Sequence, residues 1–238
     1  MPASAALLER LAAEPEQAGL FIDFDGVLAP IVPRPEDAYA PPETVEELRR
    51  LARRYALVAV VSGRDGADVR GRLGLDEVVV VGSHGLELNP EAESWRGRID
   101  AFTATVAWPA ERKRLAVSFH YREAEDEREA VRQLDEVAER AREEGLVARY
   151  GRKHLEVLPP LAADKGTAVR QLLADRGLRR ALVAGDDVTD LDAFHALDDL
   201  ELAVRVAVAS AESPALLRES ADVVVATPPE FLELLREL

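Results

Sequence analysis

No cysteine occurs among the 238 residues, which excludes disulfides and thiolate metal sites. No apolar run approaches the roughly 20 residues a helix needs to cross a bilayer, so no membrane partner is expected. Basic charge is also short: the formal net charge is −15. That removes the basic footprint a phosphate backbone requires, so no nucleic-acid partner is expected either. The acidity otherwise reads as a solvated, self-repelling surface. The N-terminal stretch through Ala13 lacks the basic-then-apolar order of a signal peptide, and the expected location is the cytoplasm. A Gly-rich phosphate loop of the P-loop or dinucleotide type is absent. Lysine is scarce, because of 30 basic residues only Lys113, Lys153 and Lys165 are lysines. A forked guanidinium replaces a compact ammonium poorly, so these three positions are candidates for a specific role.

What is present describes a soluble globular protein, with 47% hydrophobic and 32% charged residues. The length suits one large α/β domain, or a core with a smaller insert. The stretch Leu20-Phe21-Ile22-Asp23-Phe24-Asp25-Gly26 predicts a buried strand over 20–24, followed by a glycine turn. Its period of two sends Asp23 and Asp25 to one side. Two adjacent carboxylates repel, so they need a cation or a shared proton. Taken alone, the segment also fits a solvated Asp-Gly turn.

Further apolar strands are predicted over 56–61, ending in Ser62-Gly63-Arg64, and over 77–81, ending in Gly82-Ser83-His84-Gly85. Asp65 is expected to cap a helix running to Leu73, with Gly74 as its stop. This β-then-α rhythm, with near-continuous apolar strands, predicts a parallel sheet covered on both faces. Between about Asn89 and Pro160 the texture changes. A half-exposed strand is expected over 115–121, a charged helix over 125–144 with Val131, Leu134 and Val137 inward, and two strands around Gly151. The βα rhythm then returns, with a helix from Asp164 and a strand over 180–184 leading into Gly185-Asp186-Asp187-Val188-Thr189-Asp190. The expected fold is therefore an α/β, Rossmann-like core over 1–88 and 159–238, carrying a smaller α+β cap over 89–158.

In a parallel sheet the C-terminal strand edges converge on one crevice. Asp23, Asp25, Ser62, Lys165 and Asp186 are placed there together. An all-oxygen set of acids suits Mg²⁺, and a hydroxyl with an ammonium can hold phosphate oxygens. Asp23 would attack phosphorus, while Asp25 would protonate the leaving alcohol and then activate water. Ser62 also fits a helix-entry turn, Lys165 a solvated first-turn lysine, and Gly185-Asp186-Asp187 a capping turn.

Asp23-Phe24-Asp25-Gly26-Val27, Ser62, Lys165 and Gly185 to Asp190 resemble the four motifs of the haloacid-dehalogenase-like (HAD) phosphatases. In that family the metal is held by the nucleophile carboxylate, the backbone carbonyl of the second aspartate and a fourth-motif aspartate. The resemblance assigns these to Asp23, Asp25 and Asp186, with Asp190 as outer support. More narrowly, Val61 to Arg64, Gly82 to Glu87, Glu111-Arg112-Lys113, Ser118 to Arg122, Gly151 to Glu156 and Asp164-Lys165-Gly166 are similar to the trehalose-6-phosphate phosphatases. That implies substrate-binding roles for His84, Glu111 and Lys113. The residues themselves add Arg64 beside Ser62 and Glu156 as substrate-side candidates. Val27, Leu158 and Leu191 depart from the family's usual threonine, arginine and glutamate.

The expected activity is Mg²⁺-dependent hydrolysis of trehalose 6-phosphate through an aspartyl-phosphate. Another phosphorylated sugar or glycosyl acid is the alternative substrate, and a non-catalytic sugar-phosphate-binding subunit is the alternative class. A monomer or weak oligomer is expected. Trp95 and Trp108 are expected in the cap core, and His154 and His195 in structural or solvated positions.

Overall fold

A computed structural model describes residues 3–151, 153–210 and 213–238. Arg152, within the Gly151–Glu156 stretch, lies outside the described residues, as do Met1 and Pro2 of the N-terminal stretch. In chain order the first elements are α1 (Ala3–Ala12), β1 (Ala18–Ile22), α2 (Pro42–Ala52), β2 (Leu57–Val61), α3 (Gly66–Leu73) and β3 (Val79–Val81). There follow α4 (Arg96–Ala104), β4 (Glu111–Arg112), β5 (Val117–His120), α5 (Glu127–Glu143), β6 (Val147–Gly151) and β7 (His154–Leu158). The chain ends with α6 (Lys165–Arg176), β8 (Arg180–Gly185), α7 (Asp190–His195), β9 (Leu202–Val208), α8 (Ala215–Glu219), β10 (Val223–Val225) and α9 (Pro228–Arg236). Among the described residues no helix is long and apolar enough to cross a membrane.

Two compact units result: 1–85 with 163–238, and 86–162. The first is built on a parallel sheet of order β10-β9-β8-β1-β2-β3. Leu20, Ile22, Val58, Val60, Leu182 and Val204 share one core with Leu11 of α1, Leu48 and Leu51 of α2, Val69 of α3 and Phe231 of α9. The intervening strand residues Phe21, Ala59, Ala181 and Val183 are buried too. Both faces are therefore covered, which is why these strands are apolar throughout instead of alternating.

The chain builds outward from β1 through β2 to β3, then returns to β8 on the other side of β1. That reversal between β1 and β8 is the topological switch point of a doubly wound sheet, outside which ligands bind at the strands' C-terminal ends.

The second unit is an antiparallel sheet of order β4-β5-β7-β6. One face packs Val117, Phe119, Leu155 and Val157 against Ile99 and Phe102 of α4 and Leu134, Ala138 and Ala141 of α5. Trp95 and Trp108 pack against this core. The α5 stripe corrects one expectation: Ala130, Leu134, Ala138 and Ala141 are buried, while Val131 and Val137 lie at its half-buried margins. The stripe is narrower than the apolar set suggested, because small alanines let the helix sit close to the sheet.

Candidate active site

Strand β1 ends at Ile22, two residues before the boundary expected from the apolar run. Asp23 and Asp25 therefore stand in the turn after the strand, and the period-two argument does not place them. The turn does. The Asp23 N–H donates to the Ala184 carbonyl of β8 at 3.0 Å, and the Phe24 carbonyl accepts from the N–H groups of Leu28 and Ala29 at 3.0 and 2.9 Å. Gly26 has φ = +80°. A Cβ there would lie 2.3 Å from Asp186 Oδ2. Glycine is thus needed both for the backbone conformation and to let the Asp186 carboxylate approach the turn.

Lys165 is the first residue of α6, where a reciprocal capping box sets its position. The Thr167 N–H donates to Asp164 Oδ1 at 2.6 Å, and the Asp164 N–H donates to Thr167 Oγ1 at 2.9 Å. Gly166 closes the helix onto its neighbour, since a Cβ there would lie 2.2 Å from the Asp192 carbonyl of α7. The Lys165 ammonium is buried and bridges Asp23 Oδ2 at 2.9 Å and Asp190 Oδ1 at 2.7 Å. Asp190 Oδ2 accepts the N–H groups of Asp186 and Asp187 at 3.0 and 3.1 Å. Asp190 thus ties the β8 turn to the lysine.

Burial disfavours the Lys165 ammonium, but Asp190 and Asp23 outweigh it and hold its pKa above the usual lysine range. Burial is also the main influence on Asp23 and raises its pKa. Lys165 pulls the other way, but the charges of Asp190 and Asp186 add to the rise. One oxygen from each of Asp23, Asp186 and Asp190 lies within 4.8 Å of the others, and all three residues are buried. The Lys165 ammonium meets two of these three carboxylates, Asp23 and Asp190. An oxygen-only donor set of this kind fits a hard divalent cation, and Asp23, Asp186 and Asp190 are the acids that could hold it.

Ser62 is buried at the C-terminal end of β2, and its Oγ accepts the Arg64 N–H at 3.2 Å. The β3 turn locks this loop. The Ser83 N–H donates to the Arg64 carbonyl at 2.7 Å and the His84 N–H to the Ser62 carbonyl at 2.9 Å. Ser83 and His84 both have positive φ, 50° and 53°. The His84 ring lies over Gly63, where a Cβ would sit 2.4 Å from its Nε2. Asp65 occupies the N-cap position of α3 but takes no helix amide, in contrast to the expected cap. Its Oδ1 accepts Ser83 Oγ at 3.3 Å and so belongs to the same lock. Arg64 is held against Asp25: Nε donates to Oδ2 at 2.6 Å and Nη2 to Oδ1 at 2.8 Å.

In the second unit, strand register aligns Glu111, Ser118, Glu156 and Arg149 as one cross-strand row. They share the face opposite the apolar core. Lys113 Nζ lies 2.8 Å from Glu156 Oε1, and Arg149 Nη2 lies 2.9 Å from Glu156 Oε2. Glu156 is only 1% exposed, which its two cationic partners make tolerable. Glu111 Oε2 lies 2.6 Å from His120 Nε2. The two members of the Glu-x-Lys pair therefore engage different partners. Arg149 escaped the sequence reading, although counting outward from the Gly151 hairpin pairs 149 with 156; His120, read from the sequence as cap packing, meets Glu111 instead. The departures Val27, Leu158 and Leu191 are all buried, at positions where apolar side chains pack.

The trehalose-phosphatase family profile matches residues 21–110 and 100–222. The trehalose-phosphate phosphatase of Mycobacterium marinum is 34% identical over 210 residues, covering 79% of this chain and 53% of that protein. A Mycobacterium tuberculosis protein described as an uncharacterized glycosyl hydrolase is 38% identical over 207 residues, covering 75% of this chain but 15% of that protein. The chain thus spans about half, or far less, of the length of these relatives. Among solved structures, a trehalose-6-phosphate phosphatase related protein superposes with a TM-score of 0.73 at 27% identity, covering 92% of this chain and 95% of that one. A haloacid dehalogenase-like hydrolase from Bacteroides thetaiotaomicron shares the fold, with a TM-score of 0.61 at 15% identity over 92% of this chain and 98% of that one. With the profile matched over most of its length, and the motif residues gathered at the switch point of a HAD-like sheet, this chain belongs to the trehalose-phosphatase family.

Proposed function

We propose that this protein is a Mg²⁺-dependent phosphoric monoester hydrolase that converts trehalose 6-phosphate to trehalose and phosphate. The observation that carries the reading is the buried Asp23–Lys165–Asp190 bridge with Asp186 beside it, at the β1/β8 switch point. Asp23 is the nucleophile: its carboxylate oxygen forms a bond to phosphorus as the bond from phosphorus to the sugar oxygen breaks. Asp25 gives its proton to that departing oxygen. In the second half Asp25 takes a proton from water, whose oxygen bonds to phosphorus as the aspartyl oxygen leaves. Lys165 neutralises Asp23 in the resting state and faces the phosphoryl oxygens once Asp23 is esterified. Ser62 offers its buried hydroxyl to the same oxygens, and His84 stands beside it on the locked β3 turn. Mg²⁺, held by the Asp23 and Asp186 carboxylates with the Asp25 backbone carbonyl, would offset phosphoryl charge.

The unit over 86–162 is proposed as the cap that reads the sugar. A disaccharide presents many hydroxyls, and mixed donors and acceptors match them better than an apolar wall. Glu111, Lys113 and Glu156 supply such a mixture. Sugar phosphates assayed for released phosphate, with and without chelator, test the reading. Preferential release from trehalose 6-phosphate, lost on chelation, is expected. Equal rates across the panel would shift the assignment to another sugar phosphate, and no release from any ester would favour a non-catalytic sugar-phosphate-binding subunit.

A further inference from the structure

Arg64 follows Ser62 and Gly63, and that position alone suggests a phosphate ligand. Its surroundings do not. Both Asp25 carboxylate oxygens accept from it, in a paired geometry of 2.6 and 2.8 Å. Nη2 also donates to the Pro35 carbonyl at 2.8 Å, and Nη1 to Asp68 Oδ2 at 3.3 Å. Phe24 underlies the guanidinium, with Cζ 5.6 Å from the ring centroid. Four of the five N–H directions are thus committed to this protein. The side chain is 11% exposed, against 32% for that of Asp25. The backbone is equally constrained, since the Arg64 N–H reaches Ser62 Oγ and its carbonyl accepts the Ser83 N–H. A half-buried cation that spends its fork on one carboxylate is built to orient that carboxylate.

We propose that Arg64 is a positioning residue that acts on the reaction through Asp25, and not a ligand for the phosphate. The proposal rests on the assignment of Asp25 as acid and base made above.

The test compares the native protein with Arg64→Ala, Arg64→Lys, Asp25→Asn and the double variant Arg64→Ala/Asp25→Asn. Each is assayed with trehalose 6-phosphate and with p-nitrophenyl phosphate, whose leaving group departs without a proton. With the sugar phosphate, Arg64→Ala is expected to lower kcat about 10- to 100-fold, within the range of acid–base contributions, and to leave KM within about threefold. The loss with the aryl ester is expected to be much smaller. In the Asp25→Asn background, Arg64→Ala should cost nothing further, since coupled residues are not additive. Arg64→Lys should rescue little, because an ammonium cannot make the paired contact, and it provides a second reading should the alanine variant fold poorly. A rise in KM for both substrates with kcat unchanged would make Arg64 a phosphate ligand and overturn the proposal. So would additive losses in the double variant. If Asp25→Asn itself leaves sugar-phosphate turnover intact, the acid–base assignment falls, and the proposal with it.

Discussion

Asp23 and Lys165 are each close to useless without the other. A lone buried carboxylate would take up a proton, and a lone buried ammonium would lose one. Asp23→Asn is expected to lower phosphate release at least about 10⁴-fold, the scale seen when a nucleophile is removed, with the far-ultraviolet circular dichroism unchanged. Lys165→Ala has a second consequence, because it strands Asp23 and Asp190 in a buried site. A loss of about 3–5 kcal/mol is expected from urea unfolding midpoints, alongside the loss of activity. Gly26→Ala meets two obstacles, φ = +80° and the Asp186 carboxylate. It should destabilise the fold by about 1–3 kcal/mol and weaken Mg²⁺ affinity in a calorimetric titration. At this scale Asp23, Lys165 and Asp186 were singled out, because acids that follow an apolar run, and a lysine in a chain with only three, stand out. Arg64's partner was not legible, because a fork that reaches across 39 residues leaves no mark in either local sequence.

Among the elements, α6 places the Lys165 bridge with its first turn alone. Its capping box fixes where the helix begins, and so where Lys165 sits. Asp164→Ala should cost about 1 kcal/mol in thermal unfolding, and it should lower kcat by letting the first turn fray. α5 is the opposite case, a helix whose role is packing. Leu134 is fully buried against the sheet of the second unit, so Leu134→Ala should lower the stability of that unit by about 2–5 kcal/mol, read by hydrogen exchange over β5 and β7. Periodicity announced α5 clearly but misplaced its inner stripe, since alanine burial is set by how closely the neighbouring sheet approaches. α4 went unnoticed: Ile99 and Phe102 are its only large buried apolar residues, too few to mark a period.

For the whole molecule, the crowded acids link stability to pH and to cations. Burial raises Asp23 above its ordinary value of 3.8. A carboxyl with a raised folded-state pKa stabilises the fold fully below 3.8, and that contribution is lost as pH rises through the folded-state value. Near neutrality the protein therefore carries repulsion among Asp23, Asp186 and Asp190 that Lys165 offsets in part. Mg²⁺ at about 100 times its dissociation constant should add about 2.7 kcal/mol, a rise of roughly 5–10 °C in Tm for a chain of this size. The rise should be larger at pH 8 than at pH 5.5, where protons compete for the same oxygens, and Asp186→Asn should shrink it. An equal shift at both pH values, or one retained in Asp186→Asn, would place the cation elsewhere.

The sequence by itself determined the parallel α/β core, the change of texture within it and the acids that end its strands. Each of these is written locally, in apolar runs, glycines and carboxylates only a few residues apart. Tertiary structure alone decided how closely, and through which atoms, these charges meet. The reversal between β1 and β8 brings Asp23 to Asp186, and α6 carries Lys165 between Asp23 and Asp190. The locked β2 and β3 turns aim Arg64 at Asp25. Such pairings depend on strand order and on helix start points, and no local pattern encodes a distance between residues that stand from 25 to more than a hundred positions apart.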